Sequence, residues 1–182
     1  AFEGFKEGYL AAGGTIVKEM GLPFPNVEFQ ALLTEIAALK PDAVACFFAG
    51  GGAAKFMRDY AAAGLQGKIP LYGSGFLTEG VIDAAGPAAN GVITTMHYAD
   101  GLDNPRNKAF RLAYAKTFKM QPDVYAVQGY DTGLLLIQGM DAVKGDINNK
   151  VALYKAMEAA TIDSPRDKWT MSKAHDPVQD IY

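Results

Sequence analysis

A chain of 182 residues, 49% hydrophobic and 20% charged, can bury a core of its own, which excludes a disordered segment. Seventeen Lys plus Arg against twenty Asp plus Glu leave a net charge of −3, so there is no basic excess to neutralise a phosphate backbone, and nucleic acid is excluded as a general partner. The single cysteine, Cys46, excludes an internal disulfide framework and a multi-cysteine zinc site, and no apolar run nears the ~18–20 residues of a membrane span.

The chain opens on Ala1 rather than Met, and helical spacing begins at residue 2 with no charged leader; it reads as cut from something longer, so missing targeting signals carry no weight. Phe2, Phe5 and Tyr9 describe a helix that Gly13 and Gly14 end. Thr15, Ile16 and Val17 then predict a strand. Asn26 is the expected N-cap of a second helix with Phe29, Leu32, Leu33, Ile36 and Leu39 on its apolar face and Pro41 as its stop. The run 43–49 lacks alternation and reads as a strand buried on both faces, as in a parallel sheet covered by helices. Gly50, Gly51 and Gly52 turn the chain into a third helix with Phe56, Met57 and Tyr60 inward and Gly64 at its end. A short strand around Leu71, an exit turn at Gly73, Ser74 and Gly75, a helix over 78–85 and a strand over 91–98 repeat the pattern, which predicts βαβ crossovers and one parallel sheet.

Past Tyr98 the alternation stops. Asn104 and Pro105 form an N-cap and first-turn pair for a helix that buries Phe110, Ala113, Tyr114 and Phe118 and ends at Pro122. A longer helix over 123–143 follows; Gly129, Gly133 and Gly139 weaken it by roughly 1 kcal/mol each relative to Ala, which is explained if another backbone packs close. A last helix over 149–160 leads to two expected short strands, 168–171 and 178–182. The predicted fold is α/β, a parallel sheet flanked by helices, with a boundary near 99–104.

Catalytic and cofactor signals are weak. Gly73, Ser74, Gly75 and Thr78 imitate the start of a dinucleotide fingerprint but lack its third glycine and acidic partner. Gly50, Gly51, Gly52 and Lys55 have the wrong spacing for a phosphate loop, and Phe56 stands where the metal-binding hydroxyl belongs. Gly129, Asp131 and Gly133 outline a nucleophile elbow inside a helical pattern. His97 and His175 have no ligand partners at metal-binding spacing, and Cys46 sits in an apolar run. No catalytic residue, metal or cofactor is assigned; the chain reads as a binder, not an enzyme. In open α/β sheets ligands bind beyond the carboxyl ends of the strands. Here that edge consists of Phe48, Ala49 and Gly50, then Ser74, Gly75 and Phe76, then His97 and Tyr98. Small residues admit a polar ligand group to the backbone and a serine hydroxyl, and the aromatics supply flat walls.

The ordered series Gly4 to Gly8, Gly13 and Gly14, Glu28 and Phe29, Lys40 to Val44, Ala62 to Leu65, Asn104 and Pro105, Tyr130 and Asp131, and Ser164 to Arg166 resembles periplasmic solute-binding proteins of the branched-chain amino-acid type, the type I ligand receptors of ABC importers. The resemblance implies two α/β lobes joined by three crossovers, with a solute trapped in the interlobe cleft. Set against that pattern, the chain resembles the second half of a truncated two-lobe protein. Residues 1–98 would be most of the second lobe, 99–104 a crossover, 105–160 a helical part of the first lobe and 161–182 a return to the second. The resemblance implies a periplasmic or otherwise extracytoplasmic place, a small-molecule solute (organic acid or amino acid) and a membrane permease as partners. Ala49 matches the position that carries an aromatic in the amino-acid binders, and Gly75 matches the acidic one that meets the ligand ammonium. A buried ammonium without a countercharge costs several kcal/mol, so an aromatic carboxylate is expected ahead of a free branched-chain amino acid. Tyr125 matches a first-lobe aromatic lining the cleft. A ligand-sensing domain of a regulator or receptor is the alternative that shares the fold.

Overall fold

The computed structural model describes residues 2–23 and 28–182, and the chain divides into two units, Ala1–Thr95 and Met96–Tyr182. The expected cap Asn26 lies outside the described residues.

In the first unit, helix α1 (Phe2–Ala11) ends where Gly13 takes φ +86 and donates its N–H to Leu10 O. Its apolar side chains are not covered by the described residues: Phe2, Phe5, Tyr9 and Leu10 stand 43–47% exposed. Residues 15–17 are coil rather than the expected strand. Their β-branched composition favours extension, but a strand needs a neighbour to take its ladder hydrogen bonds, and none of the described strands pairs with them. Helix α2 (Gln30–Leu39) buries Leu33 and Ile36, with Phe29 buried at its start, and closes with Lys40 in the left-handed region just before Pro41.

Strands β1 (Val44–Cys46), β2 (Leu71–Ser74) and β3 (Ile93–Thr95) form a parallel sheet in the order β1-β2-β3, with Cys46 beside Gly73 and Ser74 beside Thr95. The run 43–49 is therefore a strand only over its middle. It is also not buried on both faces, because Val44 and Cys46 are half-buried while Ala45 between them is exposed. Helix α3 (Gly50–Ala62) follows directly, so the three glycines are its first turn rather than a loop ahead of it. Its Phe56, Met57 and Tyr60 are buried with Phe29, Leu33, Ile36, Leu71 and Leu77, and the Tyr60 hydroxyl donates to Ile69 O at 3.0 Å. Residues 78–85 are helical only at their end, in α4 (Ile82–Ala85), because a 3-10 turn (Gly75–Leu77) takes the exit from β2. Gly73 permits that turn: a Cβ there would lie 2.6 Å from Leu77 Cδ2 and 3.3 Å from Cys46 O.

The second unit holds α5 (Pro105–Phe118), α6 (Val124–Ala142) and α7 (Lys150–Glu158), each opened by a side chain. Asn104 accepts from Asn107 N, Asp123 from Ala126 N and Asn149 from Ala152 N, at 2.6, 2.8 and 3.2 Å. Of the predicted α5 face, Phe110 is buried and Tyr114 half-buried, whereas Ala113 and Phe118 are exposed. No backbone packs close at the α6 glycines: at Gly139 a Cβ would meet side chains of α7, Met157 Cγ at 2.6 Å and Leu153 Cδ1 at 3.1 Å, and at Gly129 and Gly133 nothing lies within 4 Å. An antiparallel sheet of β4 (Thr161–Ser164), β5 (Asp167–Met171) and β6 (Pro177–Val178) completes the unit. Strand β4 is an addition to the expected elements. Residues 161–182, expected to return to the neighbouring lobe, group instead with 96–160. The physical reason is Asp131 of α6, onto which the β4–β5 hairpin directs three hydrogen-bond donors.

Candidate functional site

The parallel register brings the carboxyl ends of β1 and β2 level, so the residues just beyond them share one edge of the first unit. Phe47 and Phe48 leave β1 in opposite roles. Phe48 turns inward, its ring 5.1 Å from Phe29 and 4.5 Å from Phe56, and completes the core. Phe47 stays 53% exposed and meets the half-buried Phe76 edge-on, with ring centroids 6.2 Å apart and planes at 72°. The exposed ring at this edge is thus Phe47, with Phe76 beside it, whereas the sequence alone singles out Phe48.

Between them lie the small residues. Ala49 takes the N-cap position of α3 with extended backbone and no side-chain cap bond. Gly50 begins the helix at φ +58, and a Cβ at Gly50 or Gly51 would meet nothing within 4 Å. The first turn of α3, which carries the partial positive end of the helix dipole, is accordingly open to an approaching group. Ser74 ends β2 with its Oγ buried and without a hydrogen-bond partner among the described residues. Gly75, buried, begins the 3-10 turn and brings no charged group to this edge. At Cys46, just before this edge, burial pushes the thiol up to about 12, which disfavours the thiolate.

Tyr98 and Tyr125 belong to the second unit. Tyr98 is buried, donating to Asn107 Oδ1 at 3.0 Å and accepting from Arg111 Nη1 at 3.3 Å, so its phenol is engaged in that unit's own core. Tyr125 stands 54% exposed in the first turn of α6. His97, half-buried, contacts Gln128 at 3.1 Å, and burial with the nearby Arg166 lowers its pKa, opposed by Asp131. Asp131 itself is buried beside Arg166. Its Oδ2 accepts from Arg166 Nε, Ser164 Oγ and Trp169 Nε1 at 2.6, 2.9 and 3.0 Å. The elbow-like setting of Asp131 is therefore a structural anchor, as its helical context indicates. Among the described residues no three His, Cys, Asp or Glu side chains gather around a point where a metal would sit, and no helix is long and apolar enough to cross a membrane.

The sequence profile of the periplasmic binding proteins matches residues 2–182. The chain belongs to the periplasmic binding protein family. A solute-binding protein of an ABC transporter from R. palustris, solved in complex with benzoate, is 52% identical and superposes with a TM-score of 0.91 over 99% of this chain and 49% of that one. Another, from Rhodopseudomonas palustris BisB5 and in complex with 3,4-dihydroxybenzoic acid, is 33% identical with a TM-score of 0.87 over 100% of this chain and 50% of that one. A Leu/Ile/Val-binding protein homologue of Brucella abortus is 31% identical over 162 residues, covering 85% of this chain and 41% of its own length. This periplasmic binding protein chain thus spans about half the length of the solved relatives and about two fifths of that curated one.

Proposed function

We propose that the protein is the extracytoplasmic solute receptor of an ABC importer, that it delivers a small organic acid to a membrane permease, and that aromatic carboxylates are taken in preference to free branched-chain amino acids. The observation that carries the reading is the 52% identity, along 99% of the chain, to a solute-binding protein solved with benzoate. The chemistry of the carboxyl edge supports it. Phe47 and Phe76 present apolar rings to which a flat ring is suited, and aromatic pairs contribute about 0.5–1.5 kcal/mol beyond the area they bury. Gly75 provides no charge to offset an ammonium, whose unpaired burial costs several kcal/mol. The unpartnered Ser74 hydroxyl and the open first turn of α3 are the polar groups available to the solute at this edge. The role needs binding and release alone, so no residue is given a catalytic part.

Native mass spectrometry of the full-length protein purified from its own host tests the reading. An adduct with the mass of a small aromatic acid is the expected result, and a leucine, valine or nucleotide adduct would overturn it.

A further inference from the structure

We infer that Phe47, supported by Phe76, is the residue that selects an aromatic ring over an aliphatic one of the same size. The inference rests on the proposed function above and deepens it, since it names the side chain on which the ring preference depends.

Two adjacent phenylalanines leave β1, and of the two Phe48 packs against the core. Phe48 fills it between Phe29 and Phe56, so Phe47 adds nothing to the hydrophobic packing of α2 and α3. An exposed large apolar side chain at a strand's carboxyl end, in an open α/β sheet, is placed where such sheets bind ligands. The edge-on contact with Phe76, at 6.2 Å and 72°, supports the Phe47 ring from the exit of the neighbouring strand. Phe76 in turn is held by the 3-10 turn that Gly73 makes room for. A ring supported in this way presents its quadrupole to an incoming π-face or ring edge, whereas a saturated ring gains only the area it buries.

The test compares benzoate with cyclohexanecarboxylate, which share a carboxylate and nearly a volume and differ in aromaticity, by calorimetry on the full-length protein. Wild type is expected to prefer benzoate. Phe47→Leu, which keeps apolar bulk, should reduce the benzoate-to-cyclohexanecarboxylate affinity ratio by roughly 3- to 10-fold, while Phe47→Tyr, which keeps the ring, should leave the ratio near wild type. Phe76→Leu is a second variant of the same pair and should move the ratio in the same direction by less. A wild type that prefers benzoate, together with a Phe47→Leu ratio equal to it, would overturn the assignment of Phe47 and leave the proposed function standing. A wild type that binds neither acid would overturn both.

Discussion

Cys46 and Tyr60 hold their protons more tightly in the folded chain than outside it. Burial pushes the thiol from 9.0 to about 12 and, with a smaller push from Cys46, the Tyr60 phenol from 10.0 to about 12. A proton bound more tightly by the folded state supports folding below the unfolded pKa, and that support is lost as pH rises toward the folded one. Thermal unfolding followed by circular dichroism should therefore show a melting temperature that declines from about pH 9 upward. Iodoacetamide at pH 8.5 should label Cys46 only after denaturant is added. A flat melting temperature to pH 11, or rapid labelling of the folded protein, would contradict this account. The same scale shows why the sequence does not separate the two rings at the end of β1. Residues 43–49 form an apolar run with no alternation, and the strand stops at Cys46, so no periodicity distinguishes Phe47 from Phe48. Only the packing of Phe48 against Phe29 and Phe56 separates inward from outward.

Elements were legible where a side chain signals them. Asn104 with Pro105 marks the start of α5 and Pro122 its outer limit, while α3 shows a helical face at Phe56, Met57 and Tyr60. They were illegible where long-range pairing decides. Residues 15–17 have β composition but no paired neighbour among the described strands. Conversely, β4 has a polar, unremarkable sequence and is a strand because it pairs with β5 and buries Ile162 and Ser164. Two substitutions test these elements. Gly73→Ala should destabilise the protein by about 1–3 kcal/mol, because the new Cβ would overlap Leu77 and crowd Cys46 O, and both would have to move. Asp131→Asn leaves Arg166 buried without its counter-ion and should cost about 3–5 kcal/mol, whereas Ser164→Ala removes one of the three donors to Asp131 and the acceptor of the Arg166 N–H and should cost about 2 kcal/mol. Urea unfolding of the full-length protein measures both. An Asp131→Asn cost no larger than that of Ser164→Ala would show that the pair does not anchor the β4–β5 hairpin to α6.

At the scale of the molecule, the ordered resemblance to periplasmic binding proteins was readable along the chain and is matched by a family profile over residues 2–182. Solute identity was less readable, because it depends on which few side chains face the ligand and on chain that lies beyond these residues in relatives about twice as long. The central claim is that a receptor built on this carboxyl edge, with rings at Phe47 and Phe76 and no carboxylate at Gly75, takes aromatic acids. Isothermal titration calorimetry of the full-length protein with benzoate and with leucine tests it most directly. The account predicts saturable binding of benzoate and at least about tenfold weaker binding of leucine, a difference of about 1.4 kcal/mol; leucine bound as tightly as benzoate, or more tightly, would contradict it.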